Sequence, residues 1–274
     1  MSQNSQDFKI HVNQTMAMQS ILLSMSRGYV WHCSGEIKTE KADGLIEKFN
    51  ERYGILKAKL SLERRATRAS RKAELNGEPH PRHSASFVMH PVVGGDRMRW
   101  VLLATGPLQG EQMKDGKLAS QRLQWGKYQM SQIPKTDNSG VTWTWRLSRE
   151  AQNEVEGWFV KSGRSNKQSE FEKLLLLARN YPMFAGVRKQ VQRACERGLS
   201  IWNRQHPDIQ LAPIQRPPVL VRRAAYANPP MTIGAFQTAH LARLAKAYEG
   251  YLADSSEAHF ISEVPDPQAD FLLD

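Results

Sequence analysis

Cysteine is scarce in this chain, which has two, Cys33 and Cys195, among 274 residues. That count excludes a disulfide framework and a four-cysteine zinc site. Long apolar runs are missing as well. The most apolar stretch, Leu174 to Ala178, falls far short of a bilayer span. The opening MSQNSQDFKIH lacks the charged, apolar and small-residue order of a secretory signal. These absences lead to the expectation of a cytoplasmic protein with no membrane partner. The fingerprints of several enzyme classes are also absent: there is no Walker A sequence, GxGxxG, HExxH or GxSxG. No RRM consensus, zinc-finger spacing or clear helix-turn-helix occurs either.

Acidic residues are the minority charge, 27 against 38 Lys and Arg. Six of them lie in residues 254–274, which hold no Lys or Arg: Asp254, Glu257, Glu263, Asp266, Asp270 and Asp274. The preceding 253 positions carry 38 basic and 21 acidic residues, a net +17. With 40% hydrophobic and 24% charged residues, the composition is that of a folded chain. A folded body with that excess sets up a long-range field that favours a polyanion. Net charge of either sign also serves solubility. Clustering separates the two explanations, because counterion release rewards grouped cations along a phosphate track.

The pattern predicts an α+β chain: an antiparallel sheet, RRM-like, ferredoxin-like or a meander, with helices on one face, followed by a helical half. Residues 1–26 read as a flexible start with one short helix. Residues 27–147 read as the sheet domain, 148–253 as a mainly helical domain, and 254–274 as an acidic tail. Tyr29-Val-Trp-His-Cys-Ser-Gly-Glu-Ile37 looks like a strand. Ala42, Leu45, Ile46, Phe49 and Tyr53 repeat at helical spacing up to Gly54. A basic helix follows over Leu56 to Leu75. Ser86 to Val93 and Met98 to Thr105 flank the turn Gly94-Gly95-Asp96-Arg97. Leu123 to Ile133 and Val141 to Leu147 make a second pair, in which Trp143, Trp145 and Leu147 share one face. Helices are expected over 149–162, 167–180 and 183–204, the first capped by Ser148. Val219 to Tyr226 reads as a strand, and Thr232 caps a last helix through Leu252.

The basic helix over 56–75 carries Lys57, Lys59, Arg64, Arg65, Arg68, Arg71 and Lys72 against Glu63 and Glu74. Arg64, Arg68, Arg71 and Lys72 share a face, where like charges repel unless a polyanion meets them. The helix over 183–204 adds Arg188, Lys189, Arg193 and Arg197 opposite its apolar stripe. Arg222 and Arg223 form a third group. A solvated face is the alternative for each. Aromatic rings could supply stacking for unpaired bases. Of Trp100, Trp125, Tyr128, Trp143 and Trp145, at least three are expected to be core.

His32 and Cys33 adjoin in a strand and so point to opposite faces, which rules out direct pairing. A buried cysteine beside an edge histidine is the simpler explanation. His80, His83 and His90 lack a completing ligand set, so no metal or cofactor is expected. One enzyme class survives: metal-independent RNA cleavage with His32, Tyr29 and Arg27 as candidate catalytic groups. That layout resembles CRISPR RNA-processing endonucleases in general outline, without their C-terminal glycine-rich loop. A Trp-His strand, basic helix and Trp-rich sheet also make residues 29–204 resemble reading frames of bacterial conjugative plasmids and integrative elements. That resemblance implies a role in nucleic-acid handling on a mobile element. Asp270-Phe-Leu-Leu-Asp274 sets an apolar triplet between acids, as a segment for docking a protein partner or for covering a basic groove would. The leading expectation is a nucleic-acid-binding accessory protein with DNA or RNA as partner, ahead of a scaffold subunit and an RNA-processing nuclease.

Overall fold

A computed structural model describes residues 5–56, 83–135, 139–182, 184–209, 211 and 229–255, with side chains in the last helix described as far as residue 246. The expected basic helix over 56–75, all but its first residue, and the strand at 219–226 lie outside the described residues. So do His80 and the acidic segment beyond residue 255. The chain is α+β, with antiparallel sheets and a helical C-terminal part. Among the described residues no helix is long and apolar enough to cross a membrane.

Two compact units form. The first comprises residues 1–17, 28–113 and 228–274, and the second residues 18–27 and 114–227. Residues on both sides of the 147/148 boundary belong to the second unit. There the last strand of the second hairpin, Val141–Leu147, packs chiefly against the long helix Ala185–Gln205.

In the first unit, β3 (Ala85–Pro91) and β4 (Arg97–Ala104) form the hairpin, with Phe87 opposite Leu102. Its turn uses Gly94 and Gly95 at φ 91° and 80°, left-handed angles that a Cβ disfavours. The other partner of β4 is β2 (Trp31–Lys38), antiparallel from Trp31↔Ala104 to Lys38↔Arg97. Gly35 leaves room for Trp100, whose indole would lie 3.0 Å from a Cβ there. Trp100 packs in turn against Phe49 and Phe87. Phe49 and Ile46 belong to the buried stripe of α2 (Ala42–Tyr53), which ends where Gly54 turns left-handed and donates its N–H to Asn50 O. The two-residue strands β1 (Lys9–Ile10) and β9 (Met231–Thr232) pair, and Thr232 Oγ1 accepts from Ala235 N to start the final helix, Ile233–Ser255. Ile233 and Phe236 complete this core.

The second unit begins within α1 (Gln14–Ser26), continues through the short β5 (Lys114–Asp115), and holds a sheet of order β6-β7-β8. The expected strand over 123–133 is interrupted: β6 (Gln124–Trp125) turns through Gly126 at φ 58° into β7 (Tyr128–Pro134). Hence the strands expected in one meander are divided, with this sheet distinct from the β2–β4 ladder. β8 (Val141–Leu147) buries Trp145 and Leu147 and half-buries Trp143 on one face. Three helices follow: α3 (Arg149–Gly163), α4 (Gln168–Leu177) and α5 (Ala185–Gln205). Ser148 Oγ caps α3 by accepting from Ala151 N at 3.2 Å. The final helix of the chain is α6 (Ile233–Ser255).

Candidate nucleic-acid interface

The periodicity of α5 decides where its cations point. Val187, Val191, Ala194, Cys195, Gly198 and Trp202 are buried, and a stripe at that spacing forces the intervening residues outward. Arg188, Lys189, Arg193 and Arg197 are all exposed.

Polar contacts at its start fix the helix against β8. The buried Gln190 accepts from Leu147 N at 2.8 Å and donates to Leu147 O at 3.3 Å. Gly186 N donates to Thr144 Oγ1 at 3.1 Å. At the far end, Trp202 stacks on Phe171 of α4, with centroids 5.3 Å apart. The cationic face is therefore carried on a helix held at both ends.

Charge on that face is only partly offset. Arg197 Nη1 lies 3.4 Å from Glu156 Oε2 of α3. Among the described residues Arg188, Lys189 and Arg193 have no ion-pair partner. Sequence reasoning missed Arg146, which is exposed on β8 with its Cγ 2.5 Å from where a Gly186 Cβ would stand. The strict alternation of β8 held the signal, since it turns Arg146 away from Trp145. Lys127 is a different kind of cation. It sits 4.6 Å from the Tyr181 ring centroid, and burial holds its pKa below the usual lysine value. Lys57, Lys59, Arg64, Arg65, Arg68, Arg71, Lys72, Arg222 and Arg223 lie outside the described residues.

The aromatic candidates are mostly core. Trp125 and Trp145 are fully buried and Tyr128 nearly so, while Trp100 and Trp143 are half-buried. The candidate catalytic groups do not share an accessible site: Arg27 is exposed, but Tyr29 and His32 retain 4% and 2% exposure. A phosphodiester in solvent does not reach groups so placed. His32 and Cys33 do face opposite ways, with Cys33 against the first unit's core. The burial is the reverse of the expectation, because the histidine is the interior residue and the thiol is half-buried. Burial pushes the Cys33 thiol up to about 11 and the Cys195 thiol up to about 12, so both are poor nucleophiles at neutral pH. Among the described residues no three His, Cys, Asp or Glu side chains gather to hold a metal ion.

His90, on β3, has its Nδ1 2.8 Å from His11 O. Burial, against the opposing effect of that hydrogen bond and helped by the Arg99 and His11 charges, pushes its pKa down to about 4. An unfolded histidine takes a proton near pH 6.5. Stability from this group is therefore fully present above that pH and is lost as pH falls towards 4, by at most about 3 kcal/mol. Urea midpoints measured from pH 7 to pH 4 should fall less steeply for His90→Gln than for the wild type. Parallel profiles would mean that another group governs the acid response.

Comparison with protein-family models, curated proteins and solved structures found nothing that matches this chain.

Proposed function

We propose that this chain binds nucleic acid, meeting backbone phosphates with the outer face of α5. The observation that carries this reading is the set Arg188, Lys189 and Arg193: exposed, without ion pairs among the described residues, on a helix whose other face is buried. The helix already orders the backbone that carries these cations, and on meeting phosphates they displace the counterions condensed there. Arg197 and Arg146 extend the surface. The net +17 of the first 253 residues supplies the long-range attraction. Contacts to phosphate position a protein without reading sequence, which suits an accessory factor, and the plasmid-like resemblance of residues 29–204 points the same way. The cations over 57–72 and Arg222 and Arg223 are further candidates for the same track.

The test is fluorescence anisotropy with labelled single- and double-stranded DNA and RNA over a salt series. Replacing Arg188, Lys189 and Arg193 together by Gln should weaken binding to every sequence alike. The salt slope should flatten by about 0.9 for each duplex phosphate that is no longer neutralised, or about 2.7 in all. Unchanged affinity and slope would remove α5 as the interface. A scaffold role is the second reading, favoured by Leu241 and Leu244, which are 64% and 53% exposed on α6. Weak, salt-insensitive nucleic-acid binding beside a stable protein partner would put it first.

A further inference from the structure

Helices α3 and α4 line an open cleft of about 380 Å³ to which no residue of α5 contributes. Trp158, Leu174 and Leu177 give it apolar walls, and Lys161 and Lys173 stand at it from the two helices. Trp158 is 43% exposed, whereas the other six tryptophans are buried or half-buried. Packing does not account for it, because the buried stripe of α3 is Ala151, Val155, Phe159 and Gly163.

The charge at the cleft favours an anion. Among the described residues neither Lys161 nor Lys173 has an ion-pair partner, and the one acid lining it, Glu170, is held by Lys167 Nζ at 2.7 Å. Ser162 and Ser165 add hydroxyls at the same wall. An exposed indole between unpaired lysines matches a single nucleotide step: a flat π-face for the base and cations for the phosphates on either side. The volume lies at the lower end of small-ligand sites. It suits one base and sugar better than an extended peptide helix. Bases stacked inside a duplex cannot present a face to it.

We propose that this cleft holds one unpaired nucleobase of a single strand, stacked on Trp158, with the adjoining phosphates against Lys161 and Lys173. The proposal rests on the nucleic-acid reading above and narrows it to single strands.

Full-length protein is titrated against a short fluorescein-labelled oligothymidylate, and against the same strand paired with oligoadenylate. Trp158→Ala should weaken single-strand binding about five- to 150-fold and leave duplex binding nearly unchanged. Trp158→Phe, which keeps a ring, should retain most of the affinity, and circular dichroism checks that each variant is folded. Equal losses on single strand and duplex, or no loss with Trp158→Ala, would overturn the proposal. The Arg188, Lys189 and Arg193 variant separates the two readings. If wild-type binding is steeply salt-dependent and sensitive to that variant but not to Trp158→Ala, only the cleft assignment falls. If the wild type binds neither probe, both fall. Binding of an acidic, leucine-rich peptide that is sensitive to Trp158→Ala, with no binding of oligothymidylate, would make the cleft a protein-docking groove and likewise overturn it.

Discussion

Trp145→Ala should destabilise the second unit by about 3–5 kcal/mol, a large share of the stability of an ordinary domain. Trp145 is fully buried on β8, and removing its indole leaves a cavity that the surrounding structure refills only in part. The indole N–H also donates to Met18 O at 2.9 Å in the interior. Met18 lies within α1, whose own ladder still engages that carbonyl, so loss of the donor removes one buried hydrogen bond, about 0.5–1.5 kcal/mol of the total. Trp145→Phe keeps a ring in the core while removing the donor and the smaller part of the indole's volume. It should cost about 1–3 kcal/mol. Urea unfolding followed by near- and far-ultraviolet circular dichroism measures both. Losses below about 1 kcal/mol for Trp145→Ala would mean that β8 is held by its backbone ladder and by the Gln190 hydrogen bonds rather than by this ring.

That prediction turns on a residue whose burial was legible and whose partner was not. Alternation in Thr142 to Leu147 places Trp145 inside, but nothing in the pattern announces a carbonyl 127 positions earlier. The same division runs through the fold. Local chemistry located α2 with its Gly54 stop, the Ser148 and Thr232 caps, the β3–β4 turn and the helices α3 to α5, because each depends on neighbours within a few residues. Pairing of β2 with β4 joins residues as far apart as Trp31 and Ala104, so the expected meander became separate sheets. The break at Gly126 was hidden inside a run that looked continuous.

The candidate interface divides likewise. Helical periodicity alone sorts Arg188, Lys189 and Arg193 from Val187 and Val191, so the cationic face of α5 could be read directly. Arg146 could not be attached to it, since its neighbour Gly186 lies forty positions on. Whether each cation is already paired was equally invisible: Glu156, on another helix, reaches Arg197 and leaves the other three. Trp158 was overlooked because an aromatic residue in a helical repeat reads as core. It takes the packing of α4 beside α3 to show which side of the ring remains open.

The seating of α5 depends on a close approach that gives the last prediction. Gly163 on α3 faces Gly198 on α5, and a Cβ on Gly163 would stand 2.6 Å from Gly198 O and 3.3 Å from Ile201 Cβ. The converse approach is also tight, with a Cβ on Gly198 3.0 Å from Phe159 O. Backbone oxygens cannot swing aside as a side chain can, so one helix has to move. Gly163→Ala should cost about 1–3 kcal/mol, and Gly163→Val about 3 kcal/mol or more. Gly157, on the same helix, has nothing within 4 Å of its Cβ position. There Gly157→Ala should stabilise by about 0.5–1 kcal/mol, because alanine loses less backbone freedom on folding. One substitution on one helix thus has opposite signs six residues apart, and urea midpoints decide it. If both alanines stabilise, α3 and α5 do not meet at Gly163. If Gly163→Val unfolds nothing yet abolishes nucleic-acid binding, the position of α5, rather than its charge alone, governs the interface.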